Sequence, residues 1–175
     1  MSIRKIGFLV LCLTLGFLSC NNDDDTTDIP EIIIRDRAEQ QIADNDSIVE
    51  YLTSHYYNKS TFDGNSNPKT GDLVITKITD EVISNDADSL LINAVENKTV
   101  VYEDTDYEYY ILNLNQGNGA TSPNFSDNVF VTYEGFTLDN DVFDSAVTPV
   151  EFDLTTLIPA WRKVLPQFKV AESFV

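Results

Sequence analysis

The feature that most limits this 175-residue chain is the stretch "DNVFVTYEGFTLDNDVFDSAVTPVEFDL", from Asp127 to Leu154. Its first third alternates. Val129, Val131 and Tyr133 point one way, and Phe130, Thr132 and Glu134 the other, which is the period of a strand. Gly135 then invites a bulge or a close backbone approach. "LDND" has the chemistry of a hairpin turn in which Asn140 takes a positive φ. The return strand is expected to break after "FDS", with a short loop over 146–148. Phe143 and Asp144 thus put an aromatic ring and a carboxylate side by side where an apolar strand should return. On spacing alone, Phe143 reads most simply as core and Asp144 as a turn carboxylate bonded to nearby N–H groups.

Other segments repeat the strand signal. "LVITKIT", "TVVYED" and "YEYYILNLN" are rich in β-branched and aromatic residues. "EIIIRDRAEQQIADNDSIVEYLTSHYYN" reads as helix opened by Pro30, with a break near Asp44–Asp46. Its second half carries a Ser47/Glu50 capping box and an apolar stripe of Ile48, Tyr51, Leu52 and Tyr56. That stripe packs against the domain or against a partner copy, and His55 beside it is assigned a structural role. "TTLIPAWRKVLPQF" predicts a short helix capped by Thr155 or Thr156, with Pro159 in its first turn and Pro166 limiting its extension. "KVAESFV" starts as a turn entering another strand. Asp63, Asn65 and Asn67 have EF-hand-like spacing, but Pro68 replaces the required glycine and no glutamate closes the loop. Asp86 and Asp88 fail similarly, so no metal site is expected.

The N-terminus and the charge narrow the setting. Arg4 and Lys5 precede an apolar run from Ile6 to Leu18 that ends at Ser19-Cys20, the layout of a secretory signal peptide. The run is shorter than the about 20 residues that a membrane span needs. "FLSC" resembles a bacterial lipobox, which implies a lipid on Cys20. The following "NNDDDTTD" is a self-repelling tether, and its acidic residues resemble the surface-export signal of Bacteroidetes lipoproteins. Cys12 leaves with the signal, so neither a disulfide nor a cysteine metal site is expected. With 29 acidic against 11 basic residues and a net charge of −18, the chain repels nucleic acid and anionic lipid.

The order of elements from about Thr105 resembles the first two-thirds of an FKBP-type peptidyl-prolyl cis-trans isomerase domain. Five motifs occur in the family's order: Gly117-Asn118-Gly119, "DNVFVTYEG", "VFDS", "PVEFDL" and "LIPAW". The helix upstream is similar to the one preceding this domain in Bacteroidetes lipoprotein members. The resemblance implies an α+β fold: an antiparallel half-barrel sheet wrapping a short helix, preceded by a helical extension, with the last strands and the flap loop lying beyond Val175. The expected organisation is a signal peptide over 1–19, a tether over 20–30, a helical extension over 31–58, a connecting region over 59–104 and the isomerase domain over 105–175.

Residue by residue, the resemblance assigns Tyr133, Phe143, Asp144 and Trp161 to the catalytic pocket, with Asp144 accepting a hydrogen bond from Tyr133 or polarising the twisting carbonyl. It assigns Val150, Phe152, Leu157 and Ile158 to substrate binding, Ile158 through its backbone N–H. Departures are Val150 where phenylalanine is usual, Ala160 and Ala171 where glycine is usual, and no basic partner for the aspartate. The implied function is cis–trans isomerisation of Xaa-Pro bonds in exported proteins, by a lipid-anchored protein of the cell envelope, at the periplasmic face or surface of the outer membrane, without cofactors. Implied partners are proline-containing polypeptides, the membrane through Cys20, and a second copy through the N-terminal helix. The competing readings are a non-catalytic FKBP-like binding or chaperone module, and an accessory lipoprotein with an unrelated β fold.

Overall fold

Helix α1 spans Arg37–Ser54. Its start is fixed by Asp36, whose carboxylate accepts from the N–H groups of Ala38 (2.9 Å) and Glu39 (3.2 Å) and so satisfies two donors that the first turn leaves open. In the computed structural model the helix runs unbroken through Asp44–Asp46. Ser47 therefore sits mid-helix, and its hydroxyl donates to the Ala43 carbonyl at 2.9 Å instead of opening a capping box. The helix stops at Ser54, so Tyr56 belongs to strand β1 and not to the helical stripe. His55 is buried and stacks on Tyr51 with centroids 3.9 Å apart. Its Nδ1 lies 2.8 Å from the Tyr51 carbonyl.

The structure describes residues 35–65, 67–69, 71–79, 89–115, 119–170 and 173–174, all within one compact unit, Arg35–Val175. The signal peptide, Cys20, the acidic tether, Pro30, Asp86, Asp88, Gly117, Asn118 and Ala171 lie outside the described residues. After α1 come β1 (His55–Tyr57), β2 (Ile75–Lys77), α2 (Leu91–Ala94), β3 (Val95–Tyr102), β4 (Thr105–Asn115), β5 (Asn128–Phe136), β6 (Val142–Asp153), α3 (Pro159–Val164) and β7 (Ser173–Phe174). The fold is α+β, with every described strand pairing antiparallel. The strands form three separate sheets, β1-β2, β3-β4-β7 and β5-β6. Antiparallel pairs and a few helices, without a closed barrel among the described residues, are consistent with the α+β, FKBP-like fold expected from the sequence, the described strands lying in separate pairs and a triplet.

Strand β4 organises the unit. It pairs with β3 from Tyr102↔Thr105 to Val95↔Leu112. The two-residue turn between them, Glu103-Asp104, has positive φ at both positions (46° and 60°), the twist that two-residue hairpins need. Successive β4 side chains point to opposite faces. On one face, Leu112 joins Tyr51, Leu52, Tyr57, Phe62 and Leu91 in the core, and the Tyr110 hydroxyl donates to Asn45 of α1 at 3.0 Å. On the other, Ile111 is only 2 % exposed, and the Tyr109 hydroxyl accepts from Gln167 at 2.9 Å. One core thus runs from the helical stretch through the connecting region into β4.

The β5–β6 hairpin turns at Thr137–Asp141, where the Asn140 N–H donates to the Thr137 carbonyl at 2.8 Å and φ of Asn140 is 64°. Strand β6 is continuous, against the loop expected over 146–148. The expected interruption survives as a slip in register. Val131↔Val150 gives way to Tyr133↔Ala146, so Val147, Thr148 and Pro149 face the single residue Thr132. Pro149 has no N–H to give a ladder, which suits it to such an irregularity. Past β6, Asp153 accepts from the Thr155 N–H at 2.8 Å and caps a 3-10 turn over Leu154–Thr156. Thr155 and Thr156 therefore do not cap α3, whose N-cap is Ile158 with Pro159 in the first turn.

Candidate functional site

The site is built on one face of the β5–β6 hairpin. Partial burial alternates along β5, placing Val129, Val131 and Tyr133 together. The register sets Phe152 opposite Val129, Val150 opposite Val131 and Ala146 opposite Tyr133. Trp161 arrives from α3 and meets Tyr133 edge-on (5.2 Å, 88°) and Phe152 edge-on (5.5 Å, 81°), while Tyr133 and Phe152 are 5.9 Å apart. The positive edge of one ring against the negative face of another stabilises such a trio beyond its buried area, by about 0.5–1.5 kcal/mol per pair.

The polar part of the site explains the Phe143-Asp144 pair. Neighbours in a regular strand point to opposite faces. Here Gly135 pairs with Asp144 while Phe136 pairs with Val142, so Phe143 is the extra residue of a bulge. The Tyr133 hydroxyl donates to Asp144 Oδ2 at 2.7 Å. The Phe143 ring lies over Gly135, so close that a Cβ there would fall 2.6 Å from Cζ. That Cβ would point to the face of Tyr133, two residues away. The bulge and the glycine together therefore bring ring and carboxylate onto the same face. The hydrogen bond to Asp144 is the main cause that raises the Tyr133 hydroxyl above its ordinary pKa, with burial and the carboxylate charge adding to it.

Not all expected residues converge. Phe143 is 72 % exposed and, among the described residues, stacks on none of the three rings, so it stands beside the ring cluster and not within it. Ile158 is also exposed. Its backbone N–H has no hydrogen-bond partner among the described residues, whereas the Leu157 N–H donates to the Leu154 carbonyl at 3.4 Å. Val150 lies opposite Val131 and is 37 % exposed. Ala146 was not singled out from the sequence. Its place opposite Tyr133 depends on the two-residue slip, which alternation alone cannot locate. A separate cleft of about 750 Å³ lies between 121–131 and 165–170. It takes in Val129 and Val131 but none of Tyr133, Asp144, Phe152 or Trp161, and so is distinct from the aromatic site.

Three rings thus stand beside a phenol–carboxylate pair, on a hairpin backed by a short helix. Residues 119–175 match the FKBP-type peptidyl-prolyl cis-trans isomerase family, whose domains in general isomerise prolyl bonds and bind proline-containing peptides. No curated protein and no solved structure matches the chain.

Proposed function

We propose that the chain is a peptidyl-prolyl cis-trans isomerase that binds Xaa-Pro segments of exported polypeptides against Tyr133, Phe152 and Trp161. The observation that carries this reading is the 2.7 Å Tyr133–Asp144 hydrogen bond beside the edge-on ring cluster, inside the segment that matches the family. Amide resonance imposes a barrier of roughly 18–20 kcal/mol on the prolyl bond. Twisting the bond breaks resonance and lowers its charge separation. An apolar wall therefore penalises the planar amide more than the twisted one, and each 1.4 kcal/mol of difference is about tenfold in rate. Tyr133 and Trp161 supply that wall, with Phe143 closing one end and Val150 and Phe152 the other. Asp144 orients the Tyr133 hydroxyl and faces the twisting carbonyl, and the Ile158 N–H, unpartnered among the described residues, receives a peptide carbonyl near Leu157.

The envelope setting rests on the sequence. The basic start, the apolar run and "FLSC" support export and a lipid on Cys20, which would hold the protein at the outer membrane. Dimerisation through α1 would need a face other than the one holding Tyr51 and Leu52, since both are buried in the chain's own core. The exposure of Phe143 and Ile158 favours a second reading, a binding or chaperone module without catalysis. Exchange spectroscopy on an Xaa-Pro peptide, run beside a binding titration on Trp161 fluorescence, separates the two. Binding with faster cis–trans exchange supports the isomerase, binding with unchanged exchange supports the module, and no binding at all removes both.

A further inference from the structure

We propose that Tyr51 is a positioning residue for the aromatic site, acting through a latch between helix α1 and the tip of the β5–β6 hairpin. The Tyr51 hydroxyl donates to Asn140 Oδ1 at 2.9 Å across 89 residues of sequence. The two ends differ in character. Tyr51 is buried in the core, packed by its ring against His55, and so is a fixed point. Asn140 is exposed at a turn, and its own backbone is already held by Thr137. Its side-chain oxygen is thus available for a bond that does nothing for the turn itself.

The hairpin needs such a point. Two-stranded ribbons are marginally stable alone, and this one is loosened by register shifts at both Val131/Tyr133 and Gly135/Phe136. The second shift lies immediately before the tip and contains Phe143. Phe143 lies three steps along the chain from Asn140, at most about 10 Å of extended chain. Fixing the tip therefore fixes the angle at which the bulge presents Phe143 and Asp144 to Tyr133. Burial raises the pKa of the Tyr51 hydroxyl, which keeps it a donor well into the alkaline range.

The inference rests on the proposed prolyl-peptide site, and its test keeps the two apart. In the full chain, Tyr51→Phe removes one oxygen and keeps the ring, while Asn140→Gly keeps the positive φ and removes the acceptor. Asn140→Asp keeps both the acceptor and a residue that tolerates this backbone. The expected result is a loss of about fivefold in kcat/KM on an Xaa-Pro peptide for each of the first two variants, the size that one ordinary hydrogen bond supports. The double variant is expected to lose no more than either, the Asn140→Asp variant to behave like the parent, and the thermal midpoints to stay close together. Amide hydrogen exchange at Val142, Phe143 and Asp144 should quicken in both disrupting variants, a change that loss of core packing around Tyr51 would not confine to those positions. If the parent neither binds nor isomerises, the site reading fails, and quicker exchange at those amides still supports the latch. Unchanged exchange, or strictly additive losses in the double variant, overturns it.

Discussion

The Tyr133 hydroxyl and the Asp144 carboxylate meet across the hairpin at 2.7 Å, although the two residues lie in different strands with a bulge between them and the turn. Asp144 is exposed while Tyr133 is held by its ring contacts, so losing the carboxylate should cost little folding stability and act mainly on the proposed site. Asp144→Ala is expected to lower kcat/KM on an Xaa-Pro peptide about tenfold, equivalent to about 1.4 kcal/mol, with a thermal midpoint close to the parent's. Exchange spectroscopy together with thermal unfolding checks this, and undiminished catalysis in the folded variant removes Asp144 from the site.

The same pair sets a pH response. The Tyr133 pKa is raised above its ordinary 10.0, chiefly by the bond to Asp144. A raised folded-state value means that the hydroxyl's contribution is complete below pH 10 and is lost as pH rises through the higher, folded value. Trp161, which touches Tyr133 edge-on and is the chain's one tryptophan, reports on this. Its emission is expected to hold steady up to pH 10 and to change above it. In Tyr133→Phe that alkaline step should vanish.

Gly135 offers a test of the bulge. A methyl group there meets the Phe143 ring at 2.6 Å from Cζ, and that ring is the exposed end of a movable side chain. Gly135→Ala should therefore swing Phe143 away from the site at a stability cost of about 1 kcal/mol, the low end for inserted methyl groups. Peptide affinity should fall as far as in Phe143→Ala, and the double variant should be no weaker than either. Titration on Trp161 fluorescence measures all three.

Leu154 is fully buried at the junction between β6 and the following 3-10 turn, and Leu112 is nearly so in the core beside α1. Leu154→Ala and Leu112→Ala are each expected to lose about 2–5 kcal/mol, the transfer and cavity terms together. Denaturant midpoints measure the losses. A change below about 1 kcal/mol at Leu154 would mean that the turn collapses onto the space.

What the sequence made legible follows from what is local. The alternation at Val129–Tyr133, the positive φ of Asn140, the close approach at Gly135 and the first-turn Pro159 are each set by a few neighbouring residues, and each stands in the structure. The Tyr133–Asp144 bond was anticipated through the family resemblance, not from spacing. The end of α1 was misplaced because Tyr56 continues the apolar period after the backbone has turned extended at His55. Ser47 looked like a cap because its hydroxyl has two local uses, and the one on the Ala43 carbonyl won. The slip at Val147–Pro149 has no local signature beyond the proline. The separation into three sheets, and the link from Tyr51 to Asn140, depend on how distant elements meet.

Strand β4 carries a consequence for anyone cutting or grafting this chain. The recognisable family segment begins at Gly119, yet Gln167 bonds to Tyr109 and Ser173–Phe174 pair with Asn113 and Asn115, all on a strand that precedes it. The unit that inheritance marks and the unit that holds together are therefore offset by at least one strand. β4 is a party wall: removed with the N-terminal half, it takes the support of the C-terminal half with it. A transplant of the hairpin and its helix into another protein would have to bring this wall or supply a replacement.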